Sequence, residues 1–147
     1  MAHYTASLEI ARPVTELFSF FSRPANLLRL AAPEMNLTLL AGPEIIERGS
    51  RISWQAKRWG VSQKLIQEVT LFVLDQKIVI EQKQGPFGHW IHGHAFETSD
   101  AGTKIVETID FSAPGGMLGF VLTADKIRAD LEKLNVFRER KLREIFP

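Results

Sequence analysis

The stretch that decides the fold runs from residue 77 to residue 112 and reads KIVIEQKQGPFGHWIHGHAFETSDAGTKIVETIDFS. Residues 77–84, 89–97 and 104–112 within it are rich in β-branched and aromatic side chains and read as strands. Only four and six residues separate them, which is shorter than the crossover that two parallel neighbours need. The stretch therefore predicts three consecutive antiparallel strands.

Further strands precede this stretch, and turn residues such as Gly-Pro and Trp-Gly separate them. Between the first two strands, Pro13 suits the first turn of a short helix, and Pro24 stops its continuation. A second short helix is predicted around residues 27–30. The complete set of predicted strands is 4–10, 37–41, 51–58, 62–74, 77–84, 89–97 and 104–112.

The pattern after Pro114 becomes helical and continues to the end of the chain. Leu118, Val121 and Leu122 belong either to the start of this helix or to a short helix before it. Basic residues such as Arg138 alternate with glutamates and are predicted to form a solvated helix face. Apolar residues recur at spacings of three, four or multiples of them, at Ile127, Leu131, Leu134, Leu142 and Ile145.

These elements predict an α+β fold, because the strands are gathered between helices and the long helix has one apolar face to bury against the sheet. The 147 residues suit one domain spanning 1–147. With 18 basic and 17 acidic residues, no nucleic-acid partner is predicted. Cysteine is absent, which excludes disulfides and thiolate metal sites. No transmembrane segment or signal sequence is recognised, so a cytoplasmic location is the default expectation.

Three stretches resemble the START/Bet v 1-like (SRPBCC) superfamily: residues 11–40, residues 84–97 and residues 136–146. The second, QGPFGHWIHGHAFE, is similar to a strand of a bacterial polyketide cyclase/dehydrase-like ligand-binding subgroup. The resemblance implies a helix-grip fold, in which a seven-stranded antiparallel sheet wraps a long C-terminal helix and two short helices follow the first strand. It also implies a cavity for a small, largely apolar ligand that is lipid-, quinone- or polyketide-like.

Three of the four histidines lie in that second stretch. Because alternate residues of a strand face the same side, Trp90, His92, His94 and Phe96 share one face, and the aromatic rings indicate the concave side. His89 falls on the other face or in the preceding turn.

Glu107 on the next strand is predicted to point inward with the histidine pair His92 and His94. All three either serve the pocket wall through hydrogen bonds or act as the acid–base residues of a metal-independent cyclase/dehydratase-type enzyme. In the second case burial raises the pKa of Glu107, and a neighbouring histidine titrates near neutrality. The same three residues offer ligands to a metal, but no metal is predicted, because the site would also need second-shell partners. No cofactor is predicted either, since no glycine-rich cofactor motif occurs.

The candidate ligand-binding residues are those predicted to face inward beneath the long helix. An interaction module without a ligand is the remaining alternative; it would have a collapsed core and an exposed apolar patch. A homodimer is left open. Phe87 lies either at the rim of the pocket or in a turn where it caps the core. The predicted pocket residues are Trp54, Ile80, Gln82, Trp90, His92, His94, Phe96, Glu107, Ile109, Phe111 and Leu122.

Overall fold

One continuous antiparallel sheet organises the chain, and the computed structural model describes all residues from 1 to 147. The strand order is β1-β7-β6-β5-β4-β3-β2, so that β2 to β7 form a meander and β1 pairs with β7 at the far edge. The predicted fold class is confirmed, and each predicted strand ends within two residues of the observed one. The strands are β1 (Ala2–Ile10), β2 (Thr38–Ala41), β3 (Arg51–Arg58), β4 (Val61–Val73), β5 (Lys77–Gln84), β6 (His89–Ser99) and β7 (Gly102–Ser112).

The helices account for the C-terminal part of the chain and for the link between the first two strands. Two short helices, α1 (Val14–Phe21) and α2 (Pro24–Arg29), follow β1 as predicted. A separate short helix, α3 (Gly116–Val121), precedes the long helix α4 (Ala124–Ile145), which answers the question that the sequence left open. The Thr123 side chain accepts a hydrogen bond from the backbone N–H of Lys126 and so caps α4.

The hydrophobic core consists of two clusters along the concave face of the sheet. The larger cluster includes Phe21, Phe96 and Ile105 and is closed by Leu142 of α4. The smaller cluster surrounds Ile109, Phe111 and residues of the first half of α4. Residue 107 lies between Ile105 and Ile109 on the inward face of β7, so a carboxylate stands where the two clusters meet.

None of the helices combines the length and the apolar character that a membrane crossing requires.

Candidate functional site

A buried polar cluster occupies the junction of the two hydrophobic clusters. The Nε2 atom of His94 lies 3.1 Å from Oε2 of Glu107, at hydrogen-bonding distance. The Nε2 atom of His92 lies 3.2 Å from the same oxygen but makes no hydrogen bond. The guanidinium of Arg138 contacts this oxygen from the side of α4. One carboxylate oxygen is thus the centre around which two imidazoles and one guanidinium converge.

Strand pairing explains how residues distant in sequence meet here. His94 and Glu107 are directly opposite one another in the β6–β7 ladder, so their side chains leave the same face of the sheet. His92 follows on that face two residues earlier, and its ring centroid is 4.6 Å from that of His94. The ring of Phe21 lies 5.0 Å from His94 and closes the cluster from α1. The predicted common face of the histidine pair and the inward carboxylate are both observed.

Arg138 is the member of this cluster that the sequence interpretation missed. The charge pattern predicts a solvated position for it, yet its side chain is only 19% exposed and contacts a carboxylate that is 7% exposed. The sequence does carry a signal for this position. Arg138 lies four residues after Leu134 and four before Leu142, so it continues the apolar stripe of α4 where a hydrophobic residue belongs.

The histidines do not titrate near neutrality, contrary to the prediction. Burial, followed by the positive charge of Arg138, lowers the pKa of His92 to about 3. Burial, then the neighbouring imidazole of His92 and Arg138, holds the pKa of His94 well below its usual value. The prediction failed mainly because it did not include the effect of burial on the imidazoles, and the cation from α4 adds to that effect. Neutral imidazoles with pKa values this low are weak bases at pH 7, which removes the main argument for acid–base catalysis by this pair.

The same three residues, His92, His94 and Glu107, have donor atoms within 4.8 Å of one another, which is compact enough to hold a metal ion. Arg138 already contacts the carboxylate oxygen that such an ion requires. A metal ion at this oxygen would be repelled by the guanidinium, which disfavours metal binding while Arg138 holds this position. The prediction that no metal binds here stays a prediction.

A cavity of about 180 Å³ lies beside this cluster, between the sheet and the helices α3 and α4. Twelve of its twenty lining residues are hydrophobic, which is the composition of a small-molecule pocket rather than of a solvent channel. The lining residues are Met35, Ala56, Arg58, Trp59, Val61, Gln63, Leu65, Gln67, Gln82, Pro86, Phe87, Trp90, His92, Ile109, Leu118, Ile127, Asp130, Leu131, Leu134 and Arg138.

Aromatic rings form one wall of the cavity. The rings of Phe87 and Trp90 are stacked with centroids 4.3 Å apart, and Trp59 meets Phe87 edge-on at 6.1 Å. Trp59 occupies the two-residue turn between β3 and β4 with a φ of +53°, a conformation that favours glycine or asparagine. Trp59 is 40% exposed, so this residue forms the end of the aromatic wall that faces solvent.

Of the eleven predicted pocket residues, the structure places four in the cavity wall: Gln82, Trp90, His92 and Ile109. His94 and Glu107 do not line this cavity, and together with Arg138 they border a separate and much smaller one. Trp54 is buried in the larger cluster, where its Nε1 donates to Gln67 Oε1 at 2.9 Å. The others are Ile80 and Phe96 in the larger cluster, and Phe111 and Leu122 in the smaller one.

The reason for this division is the position of α1. The rings of Phe18 and Phe21 pack edge-on against Phe96 at 5.3 and 5.4 Å and fill the concave face at that end of the sheet. The space between sheet and helix stays open only at the other end. The charged lining residues, which the sequence interpretation did not select, are Arg58 at the end of β3 and Asp130 and Arg138 on α4.

The comparison with protein families matches residues 10–130 to the family described as polyketide cyclase / dehydrase and lipid transport. The chain belongs to this family. The match covers all the strands from β2 to β7 and the first part of α4. The predicted membership of the SRPBCC superfamily is thereby confirmed. No protein with curated functional data matches the sequence.

Solved structures with the same fold come from bacteria and from plants. A protein from Thermus thermophilus is 17% identical with a TM-score of 0.69, over 99% of this chain and 100% of that one. Major latex-like protein 151 from Panax ginseng is 11% identical with a TM-score of 0.71, over 99% and 97%. An AHSA1-like protein from Aeromonas hydrophila is 12% identical with a TM-score of 0.69, over 98% and 94%. At sequence identities this low, the similarity shows that this family member shares the fold of these proteins.

Proposed function

We propose that this member of the polyketide cyclase/dehydrase and lipid transport family binds one small, largely apolar molecule in the cavity between the sheet and α4. The observation that carries the proposal is the cavity itself, which is mainly hydrophobic and has a few polar atoms at defined positions. An interaction module without a ligand has no need of such a space. The family description, with its reference to lipid transport, supports the same function.

The polar atoms give the ligand an orientation. The imidazole of His92 is one of the few polar groups among the lining residues and marks a polar point on an otherwise largely hydrophobic wall. Gln63 lies elsewhere on the lining and offers a side-chain amide. The stacked rings of Phe87 and Trp90 favour a flat or unsaturated ligand along the aromatic wall.

The expected affinity is modest. Burial of roughly 200–300 Å² of apolar ligand surface at about 25 cal/mol per Å² provides on the order of 5–8 kcal/mol. Association costs reduce this figure, so dissociation constants from roughly 100 µM to the millimolar range are expected.

Tryptophan fluorescence provides the direct test, because the three tryptophans differ in position. Trp59 and Trp90 line the cavity, whereas Trp54 lies in the core. A titration with uncharged aromatic ketones, quinones and long-chain alcohols is expected to quench the protein's emission. The quenching should persist in Trp54→Phe and disappear in the double variant Trp59→Phe/Trp90→Phe. Native mass spectrometry of the purified protein adds the mass of any ligand that it retains. A panel that leaves the emission unchanged and a protein without bound ligand would contradict the proposal.

Filling the cavity is expected to abolish binding without unfolding the protein. Ala56 is buried on β3 and lines the cavity, so Ala56→Leu adds three carbons to space that the ligand needs. We expect at least a roughly tenfold loss of affinity for every ligand that quenches the wild type, measured in the same titration. Ala95→Leu is the matched control, since Ala95 lies on the opposite face of β6 and does not line the cavity. Equal affinities of the wild type and Ala56→Leu would place the binding site elsewhere.

A further inference from the structure

Every formal charge that reaches the cavity is already paired. Only three of the twenty lining residues are charged, namely Arg58, Asp130 and Arg138. Arg58 Nη2 and Asp130 Oδ1 are 2.7 Å apart, and their side chains are 14% and 22% exposed. Arg138 contacts the carboxylate of Glu107. Each of the two cations is therefore paired with a carboxylate, and neither is free to pair with a charged ligand.

The other polar groups of the site are neutral at physiological pH. His92 borders the cavity, and burial keeps its pKa far below 7. Tyr4 also lies near Arg138, and burial raises the pKa of its hydroxyl above the usual value, so that it stays protonated. The remaining polar lining groups are the Gln63, Gln67 and Gln82 amides and the tryptophan indoles, which carry no charge. A negatively charged ligand thus meets hydrogen-bonding groups but no free cation.

Both ion pairs are held in place by the fold. Arg58 at the end of β3 and Asp130 on α4 connect the sheet to the helix across the cavity wall, and the Arg58 guanidinium also lies 4.8 Å from the centre of the Trp59 ring. Arg138 is anchored in the cluster around Glu107. To bind a carboxylate, either arginine would have to leave its partner, which strands a second carboxylate in a partly or fully buried position.

From this charge balance we infer that the cavity selects an uncharged ligand, one whose polar atoms are carbonyl or hydroxyl oxygens, and discriminates against a carboxylate of the same size. The inference rests on the proposed function and narrows its ligand class. Ketones, quinones, alcohols and esters are then expected to bind more tightly than free fatty acids and other organic acids. Burying an unpaired carboxylate is costly, whereas a carbonyl needs only one neutral donor, such as the side-chain amide of the lining residue Gln63.

A matched pair of aromatic probes tests this selectivity. 2-Acetonaphthone and 2-naphthoate have nearly the same size and shape, but only the second is charged at pH 7.5. We expect the ketone to bind wild-type protein at least roughly 30-fold more tightly than the carboxylate, measured by tryptophan quenching and calorimetry. Equal affinities, or tighter binding of the carboxylate, would overturn the inference while leaving the proposed function intact. If neither probe nor any uncharged member of the wider panel binds, the proposed function fails and the inference falls with it.

Freeing one cation should then weaken the preference for the uncharged ligand. Asp130→Asn removes the partner of Arg58, and we expect the ratio of ketone to carboxylate affinity to fall at least roughly tenfold. The double variant Arg58→Gln/Asp130→Asn restores neutrality and should restore the ratio. Glu139→Gln makes the same change of net charge on the outside of α4, where Glu139 pairs with the exposed Arg143, and should leave the ratio unchanged. Glu107→Gln frees the other cation, Arg138, and should lower the ratio as well. It serves as the second test of the same effect if Asp130→Asn folds poorly. A ratio that stays constant in both single variants would contradict the inference.

Discussion

Replacing Glu107 with leucine is expected to lower the free energy of unfolding by about 3–5 kcal/mol, the cost of leaving one member of a buried ion pair without its partner. Arg138 is 19% exposed and has Glu107 as its only carboxylate partner, so its charge remains inside the protein when the carboxylate is lost. His94 loses its hydrogen-bond acceptor in the same step. The measurement is urea denaturation at pH 7.5, followed by tryptophan fluorescence and circular dichroism.

A double-mutant cycle distinguishes the stranded charge from a simple loss of packing. Arg138→Leu alone should also be strongly destabilising, whereas Glu107→Leu/Arg138→Leu should be clearly less destabilising than the sum of the two single changes, because no unpaired charge remains. Glu139→Leu on the same helix is the control. Its ion pair with Arg143 is exposed, and its loss should cost less than about 1 kcal/mol. Additive effects of the two buried changes would show that the pair is not coupled.

The sequence was sufficient to predict the sheet and its topology. Strand periodicity and short links determine which residues pair, and both can be recognised within a segment such as residues 77–112. The inward orientation of the His92, His94 and Glu107 side chains followed from the same periodicity, since strand residues two positions apart share a face. These features depend on local geometry, which the sequence order contains directly.

The cavity depended on packing between distant elements, and this is where the sequence interpretation reached its limit. Trp54 and Phe96 do face the concave side, but the aromatic residues of α1 fill the space in front of Phe96. An inward-facing side chain is therefore not necessarily a pocket residue. Arg58 and Asp130 are 72 positions apart in the sequence, and only the placement of α4 across the sheet brings them together.

The case of Arg138 is different, because a closer interpretation of α4 would have found it. An arginine that takes a place on the apolar stripe of a helix, opposite a strand with an inward glutamate, predicts a buried ion pair. Its presence changes the chemistry of the site. Two histidines beside a lone carboxylate suggest proton transfer, whereas two histidines beside a carboxylate that already pairs with arginine favour a neutral and structurally fixed binding surface.

Acidification is expected to destabilise the protein well before its carboxylates are protonated. In the folded state, burial lowers the pKa of His92 to about 3 and holds that of His94 well below its usual value. In the unfolded chain both imidazoles have a pKa near 6.5. As the pH falls below about 6.5, the two imidazoles bind protons in the unfolded state but not in the folded state. Their contribution to stability is therefore fully present above this pH and is lost progressively towards pH 3.

The size of this effect follows from proton linkage. Between pH 7 and pH 5.5, each such histidine should lower the free energy of unfolding by about 1.2 kcal/mol, and the two together by about 2.5 kcal/mol. Urea denaturation curves at half-unit steps across this interval provide the measurement, and ordinary carboxylates contribute little to it because they titrate near pH 4. His92→Asn should reduce the pH dependence by about half, whatever its effect on stability at pH 7, and His92→Asn/His94→Asn should remove most of it. A wild-type stability that stays constant from pH 7 to pH 5.5 would mean that the imidazoles accept protons in the folded state. The charge balance that favours an uncharged ligand at neutral pH would then no longer hold below pH 6.5, because a protonated His92 would offer the cavity the free cation that it otherwise lacks.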